Sequence, residues 1–128
     1  MSVCYLDTSV LVAVSMQETG YATLIKRLLR YKHIVSHHLI ESELIATFSR
    51  ESIDPVLARK NLELINLVFP AHSLLNEIIE VQSHGYIRGA DALHLATAVW
   101  IAGEDRKDLT FLTLDKLQAS SAKALGFK

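Results

Sequence analysis

The segment Ala90–Ala102 leaves little freedom about where it can be placed. Wound as a helix, it distributes Leu93, Leu95, Ala96, Ala98, Val99 and Trp100 around most of its circumference, so it has no broad polar face for water and must lie centrally against a sheet. Strands to build that sheet are present. Val3-Cys4-Tyr5-Leu6 and Leu109–Leu114 are short β-prone apolar runs, each halted by an aspartate, and Lys32-His33-Ile34-Val35 reads as another. Helical spacing fills the intervals: Ser9–Met16, a helix capped by Thr19 and running through Ala22, Leu24, Ile25, Leu28 and Leu29, and one from His37 to about Arg50 with Ser36 as its N-cap. Asp54-Pro55 opens a further helix to about Leu67, Pro70 closes a short apolar piece, Ser73–Ser83 is helical, and Gly85 and Gly89 bracket the loop before Ala90. A terminal helix extends to about Leu125. Strands alternating with helices through short connections predict a three-layer α/β/α sandwich around a mainly parallel sheet.

A chain of 128 residues is expected to form a single domain, 1–128. Hydrophobic residues at 50% against 21% charged exclude a disordered chain, and a formal net charge of -1 means that a polyanion must be held locally rather than by bulk positive charge. The lone Cys4 allows neither an internal disulfide nor a thiolate zinc site, and there is no export signal or apolar run of about 18 residues, so a cytoplasmic setting without membrane contact is expected.

In parallel sheets ligands bind at the carboxyl ends of the strands. Asp7 and Asp115 each follow a strand and would share that edge, with Thr113 two residues before Asp115. Glu43 turns toward the apolar side of its helix, whereas Glu41 faces solvent, and Asp91 stands in the first turn of the apolar helix, where the helix dipole favours a carboxylate. Any one of these acids has a structural explanation as a cap, a strand terminator or a surface charge. Four together would repel unless a cation compensates them, and carboxylate oxygens select a hard ion such as Mg²⁺ or Mn²⁺. Such an ion suits phosphodiester hydrolysis and lets an acidic pocket accept a polyanion.

The segments Tyr5-Leu6-Asp7-Thr8-Ser9-Val10-Leu11, Ser42-Glu43-Leu44, Asp91-Ala92-Leu93-His94-Leu95-Ala96-Thr97-Ala98 and Phe111-Leu112-Thr113-Leu114-Asp115 give the chain a resemblance, over nearly its whole length, to PIN-domain nucleases, especially compact ribonuclease toxins of the VapC type. The resemblance implies that Asp7, Glu43, Asp91 and Asp115 are the catalytic, metal-binding quartet and that Thr8, Ser9 and Thr113 are its polar support. It implies metal-dependent hydrolysis of single-stranded or loop RNA, neutralisation by a cognate antitoxin whose tail wraps the toxin, and a homodimer. The sequence departs little from the family pattern except at Phe127-Lys128, a short end where a final edge strand is often longer.

Other residues read more quietly. His94 is expected to be a hydrogen-bonded core residue rather than a ligand, and His37 and His38 begin a helix where they could face solvent or substrate; His33, His72 and His84 show no partner by spacing. Lys26, Arg27 and Arg30 form a basic helix end that could meet RNA, as could Arg88 and Lys116 beside the acidic segments. Trp100 and Tyr5 read as core, and no aromatic row suggests a platform for bases. The alternatives are a phospho-acceptor receiver-type signalling domain, which would need paired acids after the first strand where Asp7 stands alone, and a catalytically inactive scaffold of the same fold.

Overall fold

The computed structural model describes residues 2–128. Strands β1 (Val3–Leu6), β2 (His33–His37), β3 (Asn66–Val68) and β4 (Leu109–Leu112) form one all-parallel sheet in the order β3-β2-β1-β4. The chain reaches β2 through α1 (Thr8–Ser15) and α2 (Tyr21–Leu28), and β3 through α3 (Leu39–Arg50) and α4 (Pro55–Leu62). It then passes through α5 (Leu75–Gln82), α6 (Gly89–Ala102) and a 3₁₀ turn at Arg106–Asp108 into β4, and finishes in α7 (Lys116–Ala124). Parallel pairing forces such crossovers, because antiparallel hairpin turns cannot connect neighbours that run the same way.

Pleating explains how a sheet with two buried faces builds two cores. Cys4, Leu6 and Leu112 point to the side of α1, α3 and α4, where they pack with Val10, Leu11, Ile40, Leu44, Phe48 and Ala58. Tyr5, Leu109 and Phe111 point the other way, to Val81, Leu95, Ala96, Val99, Ala122 and Leu125 of α5, α6 and α7. The three-layer α/β/α sandwich is therefore as expected. Ile40, Leu44 and Phe48 recur at i, i+4 and i+8, which fixes one face of α3 against the sheet. α6 takes the central place its composition requires: Ala92 and every residue from His94 to Val99 are buried.

Several local expectations are corrected. Ser36 does not cap a helix; it is fully buried inside β2, because the β2–β3 ladder continues to Ser36 and His37 beyond the point where the β1–β2 pairing stops, and α3 starts only at Leu39. The helix opened by Asp54 and Pro55 ends at Leu62 rather than Leu67, and Asn66–Val68 leaves it to form β3. Gly20, in a left-handed conformation at φ 89°, occupies the N-cap position of α2 in place of Thr19. β4 ends at Leu112, so Thr113 and Leu114 already belong to the connection that leads to α7. Trp100 is 38% exposed instead of buried in the core. The short C-terminal end does reach the free edge of β4: Phe111 donates its N–H to the Lys128 carbonyl at 3.1 Å and Lys128 donates to the Leu109 carbonyl at 3.3 Å.

Candidate active site

β1 lies between β2, reached first, and β4, reached last, so the direction of winding reverses at β1 and a crevice opens at the carboxyl ends of β1 and β4. Asp7 stands at that point, its backbone N–H donating to the Leu112 carbonyl at 3.0 Å. A cleft of about 580 Å³ collects Asp7 from the end of β1, Glu43 from α3, Asp91 from the first turn of α6 and Asp115 from the N-cap of α7, together with Thr8 and Ser9. The four acids, far apart in sequence, share one opening.

Asp7 is buried, with 4% of its surface exposed, and its Oδ2 serves as the N-cap of α1. That oxygen accepts from the Ser9 N–H at 3.2 Å and the Ser9 hydroxyl at 2.7 Å, and it lies 3.1 Å from the Thr113 hydroxyl. Thr113 has one proton to give, shared between Asp7 Oδ2 and the Gln118 side-chain oxygen at 2.7 Å, while it accepts from the Asp115 N–H at 3.1 Å. Ser9 in turn accepts from the Leu114 N–H at 3.0 Å. Thr8, Ser9 and Thr113 thus hold carboxylates and the chain that follows β4 in register with one another.

Glu43 is half-buried. Its Oε1 accepts from the Thr8 hydroxyl at 2.6 Å and from His94 Nε2 at 2.7 Å. The carboxylate can only accept, so Nε2 carries the proton and Nδ1 faces the Tyr5 hydroxyl at 2.7 Å, which itself accepts from the His37 N–H at 3.0 Å. Burial works to raise the Glu43 pKa, but the His94 and Thr8 hydrogen bonds and the electrostatic influence of the nearby His94 and His37 rings hold it below the ordinary value. Burial lifts the Tyr5 hydroxyl well above the usual phenol range and keeps it protonated, a donor for His94. The expectation for His94, a hydrogen-bonded core residue, is met: it is fully buried.

Asp91 and Asp115 are held more loosely. Asp115 Oδ1 accepts from the Gln118 N–H at 2.9 Å, and among the described residues Asp91 has only a long ion pair with Arg88, 3.6 Å from Nη2 to Oδ2. Burial raises the pKa of Asp91, and the charges of Asp7, Asp115 and Glu43 raise it further, against the pull of Arg88. Those three named acids are the other members of the quartet, so the like-charge crowding foreseen from the sequence is felt at Asp91.

The donor set suits a hard divalent cation, since every candidate ligand is a carboxylate oxygen. Asp7 Oδ1, Glu43 Oε2 and Asp115 Oδ2 accept no hydrogen bond from the described residues, so each of these acids spends one oxygen on the fold and keeps the other. Among the described residues no three His, Cys, Asp or Glu side chains already close on one point, so the carboxylates line a cleft rather than a finished cage. Arg88 borders this cleft, whereas Lys26, Arg27, Arg30 and Lys116 are not among its lining residues. Sequence spacing alone misses Gln118, which braces Thr113, Asp115 and, through its amide, the Asp91 carbonyl at 3.3 Å; its i+3 spacing from the Asp115 N-cap is the one signal available.

The PIN domain family model matches residues 4–124. The chain is a PIN-domain protein. No curated protein matches its sequence. PIN domains are generally nucleases, so membership supports a hydrolase acting on nucleic acid and sets aside the receiver-type alternative, whose paired acids after the first strand are missing from this PIN domain. Among the described residues no helix is long and apolar enough to cross a membrane.

Proposed function

We propose that this PIN domain is a Mg²⁺- or Mn²⁺-dependent endoribonuclease, the toxin of a toxin–antitoxin pair, acting in the cytoplasm as a homodimer. The observation that carries the reading is the convergence of Asp7, Glu43, Asp91 and Asp115 on one cleft, with unengaged oxygens on Asp7, Glu43 and Asp115. These residues would hold the ion, which supplies positive charge against the scissile phosphate and activates water for attack. The protein's own part is orientation. Ser9 and Thr113 fix the rotamer of Asp7, and Thr8 and His94 fix that of Glu43, so neither acid has to be ordered when substrate arrives. Arg88, exposed beside Asp91, offers a cation to a phosphate.

The toxin assignment rests on the VapC-type resemblance of the acidic segments. It is also supported by an apolar groove of about 350 Å³ that includes Leu11, Val14, Ile25, Leu28, Leu29 and Leu64, a surface suited to an antitoxin's apolar segment. Cleavage of single-stranded RNA by the purified protein is expected to require Mg²⁺ or Mn²⁺, to stop with EDTA, and to fall on the order of 10²–10³-fold in Asp91→Asn with the fold retained. RNA cleavage unaffected by EDTA would overturn the metal reading, and a folded wild type that leaves RNA intact in either metal would leave only the inactive scaffold. Growth arrest on expression, relieved by a small DNA-binding protein encoded alongside, is the expected sign of the toxin role.

A further inference from the structure

The sequence shows no aromatic row, yet folding builds one. His37 ends β2, His38 follows it, and Phe69 follows the last residue of β3, so the β2–β3 ladder brings together rings that lie 31 or more positions apart in the chain. The His37 and His38 rings stack with centroids 4.5 Å apart and planes 24° apart, and His38 stacks on Phe69 at 4.7 Å and 13°. The backbone holds the row in place. The His38 N–H donates to the Val68 carbonyl at 3.0 Å, the Leu39 N–H donates to His37 Nδ1 at 2.8 Å, and the His37 N–H donates to the Tyr5 hydroxyl. The row runs from a buried end to an open one: His37 is 8% exposed, His38 is exposed, and Phe69 is 64% exposed.

Its position matters as much as its geometry. The row lies on the carboxyl edge of the sheet, the same edge as the acidic cleft, and its inner end is joined to that cleft through Tyr5 and His94 to Glu43. Phosphate contacts at a cleft lined by five carboxylates against two arginines, Arg50 and Arg88, give little grip by themselves, and the chain has no bulk positive charge to add. An exposed π surface on the same sheet edge as the cleft supplies binding without charge, because every nucleobase has a face that can stack. A duplex keeps its base faces covered, so only an unpaired nucleotide can use such a surface.

We propose that the Phe69–His38–His37 row is a stacking seat for an unpaired base of single-stranded RNA, next to the phosphate held at the acidic cleft. The proposal rests on the ribonuclease reading. It assigns to Phe69 the outer stacking surface and to His38 the ring that keeps Phe69 flat and in place.

The test uses single-stranded RNA oligonucleotides carrying 2-aminopurine at successive positions, bound in Mg²⁺ to the cleavage-disabled Asp91→Asn protein. One position is expected to show stacking quench on binding; Phe69→Ala in that background abolishes the quench and weakens binding about tenfold, while Phe69→Trp preserves both. With the base at that position removed, the protein is expected to bind equally well with and without the Phe69→Ala substitution. In cleavage by the otherwise native protein, Phe69→Ala is expected to raise KM about tenfold with a smaller effect on kcat. If wild type cuts RNA and Phe69→Ala binds and cuts like it, the seat is refuted and the nuclease stands. A wild type that neither binds nor cuts RNA in Mg²⁺ or Mn²⁺ overturns both. If Phe69→Ala weakens the abasic RNA equally and dissociates a dimer in sedimentation, the surface is a contact between copies and the proposal falls.

Discussion

Asp7 and Glu43 form one half of the acidic cleft, Asp91 and Asp115 the other, and the halves are built differently. Asp7 Oδ2 and Glu43 Oε1 are enclosed by hydroxyl, imidazole and backbone donors. Among the described residues Asp91 has only the distant Arg88, and its pKa is raised by burial and by the charges of its neighbours. The first pair is built into the fold. In the second, Asp115 still caps α7, but Asp91 adds charge that the folded protein tolerates rather than uses. Substitutions on the two sides should therefore separate activity from stability.

The largest effect expected is on catalysis. Asp91→Asn should lower cleavage by on the order of 10²–10³-fold while leaving the metal-free protein as stable as wild type or slightly more so. The sign follows from the raised pKa. A carboxyl that protonates more readily folded than unfolded costs stability as pH rises through the interval between the two values, so the advantage of Asp91→Asn should be present at neutral pH and disappear in acid. Chemical denaturation of both proteins across that range checks it, and an advantage that grows toward acid would contradict the like-charge account.

On the other half, Asp7→Ala should lose activity and stability together. It removes the N-cap of α1 and strands the Ser9 and Thr113 donors, at a cost of about 1–3 kcal/mol in urea unfolding. His94→Ala should cost about 2–4 kcal/mol, since it empties a fully buried site and leaves the Tyr5 hydroxyl without its acceptor. His94→Gln, whose amide can still donate to Glu43, should recover part of both stability and cleavage.

Smaller is the effect of the ion on melting. At about a hundred times its Kd a divalent cation should stabilise wild type by about 2.7 kcal/mol and Asp115→Asn by distinctly less, as read by calorimetry. Equal shifts would mean that Asp115 takes no part. The smallest effect lies far from the cleft, where Arg106 donates to both Glu80 oxygens, at 2.7 and 2.9 Å, and to the Leu125 carbonyl. Arg106 holds the Glu80 carboxyl below its ordinary value of 4.5, so the pair stabilises the fold above that pH and loses its contribution as pH falls below it. The Glu80 side chain is 38% exposed, and Glu80→Gln should cost under about 1 kcal/mol at neutral pH, with no difference from wild type in strong acid.

The quartet could be read before any coordinates because each acid sits at a place with its own local signature: after an apolar strand, in a first helical turn, or on the inward side of an amphipathic helix. Asp54 with Pro55 at a helix start was equally legible and is found there, its side chain accepting from the Val56 N–H. What escaped the sequence depends on partners distant in the chain. Tyr5 and His94 meet across 89 positions, and no spacing rule links a strand residue to the second turn of a far helix. β3 has three residues, too few for alternation to register against the helical pattern that precedes it. Ser36 carries the chemistry of a cap but is claimed by the sheet, whose ladder hydrogen bonds outweigh a local preference. Trp100 lies on a helix that is buried nearly all round, and its 38% exposure reflects where the covering layers end.

The strand order also sets a schedule for synthesis. β1 is made before the other strands but lies inside the sheet, and its partner β4 is the last of the four strands to be made. Thr113, which reaches back across 106 positions to Asp7, and Asp115 arrive with that late strand. A nascent chain carrying the first three acids has no far wall for the cleft, so a nuclease of the proposed kind would stay unfinished on the ribosome until β4 and α7 had both been made.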